Sequence, residues 1–207
     1  MKAVALARHA FAGSNQAGLA SCSVPGEGLT AEGVEQARLL GDLLAGETID
    51  LAVATELWRT QETLEHVLDG RSVQRLVVPE LNEIDFGSFD GGRLDDYRTW
   101  AAAQPPMLPA PGGGESRAQA AARFARGLRT LLARSEDRVL VVAHALAIRY
   151  AVDGAHGLVP APLMTPVEHA TPYRLGADDV AVAADLLEAW SRAPRFRDHS
   201  TQGRERR

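Results

Sequence analysis

Four short apolar runs in this sequence each lead into residues able to do chemistry. Ala3 to Ala7 is followed by Arg8 and His9, and Ile49 to Ala54 by Thr55, with Arg59 one helical turn on. Val73 to Val78 leads to Glu83 in Leu81-Asn82-Glu83, and Val139 to Ala143 leads to His144. If these runs are strands of one parallel sheet, their carboxyl ends bring two imidazoles, two guanidiniums and a carboxylate to the edge where such sheets bind ligands. Two arginines can each fork onto phosphoryl oxygens. A neutral histidine can attack phosphorus in line and form a covalent intermediate. A second histidine can donate a hydrogen bond to the charge that develops on the transferring group. A carboxylic acid can protonate the leaving alkoxide and then take a proton from attacking water. The set needs no metal and no cofactor. A zinc site of His9, His144 and Glu83 is the competing use, but no pair among them has the i, i+4 spacing of a helical zinc motif. Singly, a histidine at a strand end is commonly structural and a lone arginine a solvated charge. Together the five point to phosphoryl transfer.

The elements that must position these groups alternate along the chain. Thr30 caps a helix over Ala31 to Ala45, with Glu32 in the first turn where the helix dipole favours an acid. Val34, Ala37, Leu40 and Leu44 give that helix one apolar face, and Gly46 stops it. Further helices are expected from about Glu56 to Leu68, over Leu94 to Ala103, and from about Leu146 to His156. Another runs from a Ser116/Gln119 capping box to about Arg134. Two late strands, Thr171 to Leu175 and Val180 to Ala184, precede a helix to about Trp190. Gly13 to Gly28 reads as turns and Val159 to Pro166 as a Pro-rich loop. Residues 80 to 115, with Gly91-Gly92, Pro105-Pro106 and Gly112-Gly113-Gly114, form a lid-like excursion of a kind that is commonly functional. The expectation is an α/β three-layer sandwich, a mostly parallel central sheet with helices on both faces. One domain spans 1–191, and a basic, mobile tail covers 192–207.

Composition sets the outer bounds. The chain has 207 residues, 45% hydrophobic and 24% charged, which suits a packed domain and not a disordered one. Its net charge of −5 argues against a nucleic-acid binder. Lys2 is the only lysine, so the cations are nearly all arginine. Arg123, Arg126, Arg129 and Arg134 look like compositional background, leaving Arg8 and Arg59 as the two expected to do chemistry. Cys22 is the only cysteine, which rules out an intrachain disulfide; it reads as a small apolar loop residue. No apolar run approaches the ~20 residues of a membrane span. The N-terminus reads as a strand, not a signal peptide, so a cytoplasmic location without membrane partners is expected.

The motifs around the strand ends resemble those of the histidine phosphatase superfamily, the phosphoglycerate-mutase-like family. Ala7-Arg8-His9-Ala10 is similar to its Arg-His-Gly signature, and Asn15 falls where the family has an Asn. Leu29-Thr30-Ala31-Glu32-Gly33 with Gln36-Ala37, and Leu57-Trp58-Arg59-Thr60 with Thr63, come next in order. Leu81-Asn82-Glu83 with Phe86 to Gly91, Gly113-Gly114-Glu115-Ser116 and Val142-Ala143-His144 complete the series, over roughly residues 3 to 176. The resemblance implies that His9 is phosphorylated, that Arg8, Arg59 and His144 hold the phosphoryl group, and that Glu83 gives and takes the proton. It implies that Asn15 contacts the phosphate or fixes the loop. Ala10 and Ala145 stand where the family commonly has glycine, and a methyl group there crowds the site if φ is positive. Phe11-Ala12-Gly13 lacks the family's hydroxyl, for which Ser14 is a substitute. The loop from Gly18 to Glu27 lacks an arginine that the family often places there.

The expected activity is metal-independent hydrolysis of a small phosphorylated metabolite through a phosphohistidine. Phosphoglycerate mutase is the alternative, disfavoured because such mutases tend to be longer and richer in basic residues between 93 and 114, where this chain has only Arg93 and Arg98. A narrower alternative, α-ribazole phosphatase, rests on Asn82-Glu83-Ile84-Asp85-Phe86-Gly87. A non-catalytic phospholigand-binding protein is the last, motivated by Ala10 and Ala145. A homodimer is left open. Trp58, Trp100 and Trp190 are expected to pack, Glu115 to fix a loop, and Arg149 to be structural. His66, His156, His169 and His199 have no motif support.

Overall fold

A computed structural model describes residues 1–197. The chain runs through β1 (Ala3–Arg8), α1 (Gly13–Ala17), α2 (Ala31–Leu43), β2 (Leu51–Ala54), α3 (Trp58–Leu68) and β3 (Gln74–Val77). After short 3-10 turns at Pro79–Leu81 and Gly87–Phe89 come α4 (Leu94–Ala103), α5 (Arg117–Leu132), β4 (Arg138–Ala143), α6 (Ala145–Ala155), β5 (Pro172–Gly176) and α7 (Ala177–Arg192). The strands lie in the order β3-β2-β4-β1-β5. All neighbours are parallel except β5, which runs antiparallel to β1 along the edge.

Alternation along the strands splits the core into two layers, because successive side chains point to opposite faces. Val4, Leu6, Leu51, Val53, Val139 and Val141 face α5, α6 and α7, packing with Phe124, Leu128, Ile148, Val180 and Leu187. Ala7, Ala52, Ala54, Leu140 and Val142 face α2 and α3, packing with Ala37, Leu40, Leu64 and Val67. The alanines on the second face let α2 and α3 approach closely. Gly33 belongs to that approach: a Cβ there would lie 2.0 Å from the Phe11 carbonyl oxygen.

Caps form where the sequence offers them. Thr30 Oγ1 accepts from Gly33 N–H at 3.1 Å, and Ser116 and Gln119 form the reciprocal capping box of α5. Several expectations fail. Gly13–Ala17, read as turns, is the short helix α1. Val180 to Ala184 is not a strand but the first turns of α7. Its buried residues Val180, Ala183, Ala184 and Leu187 recur at helical spacing, and Asp178 and Asp179 occupy the first turn. The first residues of the expected tail make contacts with the domain. Trp190 Nε1 donates to Arg195 O at 2.7 Å, Phe196 stacks on Trp190, and Arg197 pairs with Asp153 at 2.8 Å. The rest of the expected tail, with His199, lies outside the described residues. Trp190 and Trp100 pack as expected, but Trp58 is 54% exposed. Among the described residues no helix is long and apolar enough to cross a membrane.

Candidate active site

Strand register makes His9 and His144 neighbours. Arg8 pairs with Ala143 across β1 and β4, so the next residue of each chain segment lies beside the other. His9 N–H donates to Ala143 O at 3.0 Å, and the two ring centroids are 5.3 Å apart. Arg59, in the first turn of α3, reaches both rings. Its Nε donates to His9 Nε2 at 3.1 Å, and its Nη2 to Ser21 O at 2.9 Å and His144 Nδ1 at 3.3 Å. Glu83 comes just after the Pro79–Leu81 turn and brings Oε2 to 4.0 Å from His144 Nδ1. Arg8 donates from Nη1 to Val167 O at 2.9 Å.

The hydrogen bonds assign the imidazole tautomers. His9 Nδ1 lies 2.8 Å from Ala10 O, a partner that can only accept. The proton is therefore on Nδ1, and Nε2 holds a lone pair at the cavity. His144 accepts from Arg59 at Nδ1, so its proton is on Nε2 and is donated to Thr55 Oγ1 at 3.0 Å. Thr55 in turn donates to Thr60 Oγ1 at 3.0 Å, and Thr60 donates to Leu57 O at 2.7 Å. Thr55, Thr60 and His144 are all fully buried.

Burial and cationic neighbours keep both rings neutral. Desolvation, then Arg59, His144 and Arg8, holds His9 well below the ordinary imidazole range. Desolvation, then Arg59, Arg8 and Arg123, does the same for His144. Burial also brings Arg8 down to about 10 and lowers Arg59. Arg8 Nε and Arg59 Nη1 are buried donors with no acceptor, and neither arginine pairs with a carboxylate among the described residues. Unpaired buried donors on a cation are expensive. A tetrahedral oxyanion seated between them removes that cost.

Above this floor is a cavity of about 330 Å³. Arg8, His9, Asn15, Arg59 and Glu83 line it, and so does Ser14. His144, the sixth expected site residue, is fully buried and is not part of the cavity lining; it touches Arg59, which is. Asn15 Oδ1 accepts from Ala12 N–H at 3.0 Å and so holds the turn into α1. Leu19, Phe86, Leu94, Leu146, Met164 and Val167 make most of the remaining wall apolar.

Loop contacts hold the acid in place. Arg123 on α5 forks onto Glu115 at 2.8 and 2.6 Å and donates to the carbonyls of Glu80, Asn82 and Glu83. Glu115 also accepts from Asp85 N–H at 3.1 Å. Gly87, at φ 57°, passes so close to the 111–114 loop that a Cβ would lie 2.1 Å from Pro111 O. Arg149 donates to the carbonyls of Thr165 and Pro166, which fixes the opposite wall. Cys22 accepts from Phe86 N–H, and its thiol is pushed up to about 12, mainly by burial.

A family model for the histidine phosphatase superfamily (branch 1) matches residues 4–182. The chain belongs to that superfamily. It is 33% identical over 181 residues to a 2,3-bisphosphoglycerate-dependent phosphoglycerate mutase of Brucella anthropi, covering 78% of this chain and 87% of the mutase. It is 33% identical over 148 residues to an adenosylcobalamin/alpha-ribazole phosphatase of Escherichia coli, covering 67% of this chain and 71% of that protein. The crystal structure of an alpha-ribazole phosphatase from Shigella flexneri superposes with a TM-score of 0.71 at 26% identity, over 83% and 89% of the two chains. The expectation that mutases of the superfamily are longer fails for the Brucella protein, most of which is matched by this chain.

Both departures from the superfamily's glycines are sterically benign. Ala170, at φ 48°, is the one non-glycine residue in the left-handed region among the described residues, so Ala10 and Ala145 sit in ordinary backbone. Ala10 N–H donates to Thr63 Oγ1, and its methyl is buried with the α2/α3 layer; the Ala145 methyl forms part of the cavity wall. Three contributors escape a reading of the sequence. Thr55 stands out there only as the residue after a strand, Arg123 looks like background, and Arg117, which also lines the cavity, has no motif to mark it.

Proposed function

We propose that this protein is a metal-independent phosphomonoester hydrolase that works through a phosphohistidine on His9. The observation that carries the reading is the His9 lone pair at Nε2, held by the Nδ1–H bond to Ala10 O and flanked by two guanidiniums without carboxylate partners among the described residues. The phosphoryl group sits between Arg8 and Arg59, where it takes up their free donors. Arg59 then turns to the substrate, releasing the lone pair of His9 Nε2 for attack and leaving His144 Nδ1. The added negative charge favours a proton on that nitrogen, so His144 donates to a phosphoryl oxygen while Thr55 keeps Nε2–H in place.

His9 Nε2 attacks phosphorus and forms a P–N bond as the P–O bond to the alcohol breaks. Glu83, as the acid, gives its proton to the departing oxygen. Water then enters, and Glu83 as the carboxylate takes one of its protons. The water oxygen bonds to phosphorus, the P–N electron pair returns to Nε2, and inorganic phosphate leaves. The product alcohol and phosphate account for all atoms of ester and water.

The test is hydrolysis of phenyl phosphate in the presence of a chelator, with acid quench to trap an acid-labile phosphoenzyme. Wild type should turn over and label, and His9→Ala should do neither. Full activity in His9→Ala would sink the mechanism. The Brucella relative keeps mutase activity as a second reading. A mutase holds its phosphohistidine until a second hydroxyl accepts the group, so a stable phosphoenzyme and interconversion of 2- and 3-phosphoglycerate would replace hydrolysis.

A further inference from the structure

The cavity has one more buried cation, and the phosphoryl chemistry gives it no task. Arg117, the first residue of α5, forms part of the wall. Its Nε donates to Tyr150 Oη at 2.8 Å, and its guanidinium lies 5.6 Å from the Tyr150 ring centroid. Its Nη2 is buried without an acceptor among the described residues. Among the described residues Arg117 forms no ion pair, in contrast to Arg123 six residues on, which is paired with Glu115 at 2.6 Å. Burial opposes the charge on Arg117, but the Tyr150 and Tyr97 hydroxyl oxygens more than offset it, so the group stays cationic.

This cation is held rigidly. The Ser116/Gln119 capping box fixes the backbone at its base. Tyr97 beside it is 4% exposed and stacks edge-on with Phe86 at 4.6 Å. A buried cation lacking a counter-ion is a costly arrangement for folding alone. Its cost is recovered when a ligand supplies the anion, and a guanidinium fork matches a carboxylate in particular. The cavity that Arg117 shares with Arg8 and Arg59 is lined also by Phe86, Leu94, Leu146, Met164 and Val167, which asks for an apolar body and not a polyol. The cavity, at about 330 Å³, takes a compact ligand.

We propose that Arg117 recognises a carboxylate on the leaving alcohol, and that the substrate class is the phosphate monoester of a compact apolar or aromatic acid. This rests on the phosphomonoesterase reading and goes beyond it by naming the far end of the substrate. The Arg117 end of the cavity acts on binding and orientation; it takes no part in proton transfer or attack.

The experiment compares matched pairs in the presence of a chelator: 3- and 4-carboxyphenyl phosphate, and 4-(phosphonooxy)butyrate, each against its neutral carboxamide. Phenyl phosphate is the reference. The readout is kcat/KM for acid over amide, and both rates come from the same preparation, so a loss of folded protein cancels. In wild type the acid should be favoured about tenfold or more in at least one pair, the size expected of one charged hydrogen bond. Arg117→Met should bring that ratio to within about twofold of unity, and Arg117→Lys should restore part of it. Equal rates for acid and amide in every pair, with phenyl phosphate still hydrolysed, would overturn the inference and leave the phosphatase reading intact. So would a preference that survives Arg117→Met, which would assign it to Arg98. If wild type hydrolyses none of the esters, the phosphatase reading falls and this inference with it.

Discussion

The floor of the cavity and its wall treat charge in opposite ways. On the floor, half-buried Arg8 and buried Arg59, at strand and helix ends, each keep a buried donor unpaired among the described residues, and His9 and His144 are at most 2% exposed. On the helices around the wall, three arginines are matched by carboxylates. Arg123 has Glu115, Arg98 has Asp95, and Arg149 has Asp153. Paired arginines stabilise loops; unpaired ones wait for an anion. In the proposed reading the floor gives up local stability for a reaction, and the wall is built to stay where it is. Arg117 is the exception, a wall residue with the floor's unpaired character.

Breaking the floor should have the largest effects. His9→Ala removes the proposed nucleophile, and kcat on phenyl phosphate should fall by about 10⁴-fold or more, as with loss of other covalent nucleophiles. A fall of less than tenfold would mean that the floor is not where bonds are made. Next in size is Glu83→Gln. This substitution preserves shape and removes the proton, so kcat should drop about 10²- to 10⁴-fold with KM little changed. The loss should be smaller for 4-nitrophenyl phosphate, whose leaving group needs little protonation, than for an alkyl ester. Equal losses on both would remove Glu83 from the role of acid.

Disturbing what links wall to floor should cost less. Arg123→Met breaks the fork to Glu115 and frees three carbonyls around Glu83. The pair is mostly buried, at 17% and 22% side-chain exposure, so stability should fall by about 2–3 kcal/mol. The rate should fall about tenfold, because Glu83 loses its fixed position but not its chemistry. Calorimetric melting and kcat at a temperature well below the melt separate the two effects. Unchanged stability would make Arg123 the background cation that its helix position suggests. Smaller still is a change confined to the wall. Met164→Ala removes apolar surface and should raise KM for an aryl phosphate by a few-fold while leaving kcat for bound substrate near wild type.

The same contrast explains which parts of the site are legible in the sequence. The floor hangs on strand ends, and apolar runs mark strand ends, so Arg8, His9, Arg59, Glu83 and His144 can be picked out by their position at or shortly beyond a run. The register that makes His9 and His144 neighbours is implied once β1 and β4 are adjacent. The wall comes from residues 80 to 115 and 158 to 170, where carbonyl and carboxylate contacts between distant loops decide the shape, and no local period encodes those. Arg123 and Arg117 occupy ordinary helical positions and differ only in whether a carboxylate meets them. That difference is tertiary and invisible to a pattern reading. Val180 to Ala184 misleads for a simpler reason: a β-branched, alanine-rich stretch of five residues fits both periods, and Asp178 and Asp179 ahead of it are the helix signal.

The least dramatic test concerns the floor at rest. His9, His144 and His169 all lie below the ordinary imidazole value, each chiefly because burial opposes the charged form, with His169 at about 4. A histidine depressed in the folded state takes up its proton more readily when unfolded. Its contribution to stability is thus fully present above the unfolded value of about 6.5 and is lost as pH falls from there toward the folded values. The melting temperature should accordingly decline between about pH 7 and pH 5, before most carboxylates titrate. His9→Gln removes one of the three groups and should make that decline shallower, whereas Met164→Ala should shift the whole curve without changing its slope. A melting temperature independent of pH over this range would show that the histidines are not held neutral. The floor's unpaired guanidiniums would then have to be balanced in some other way.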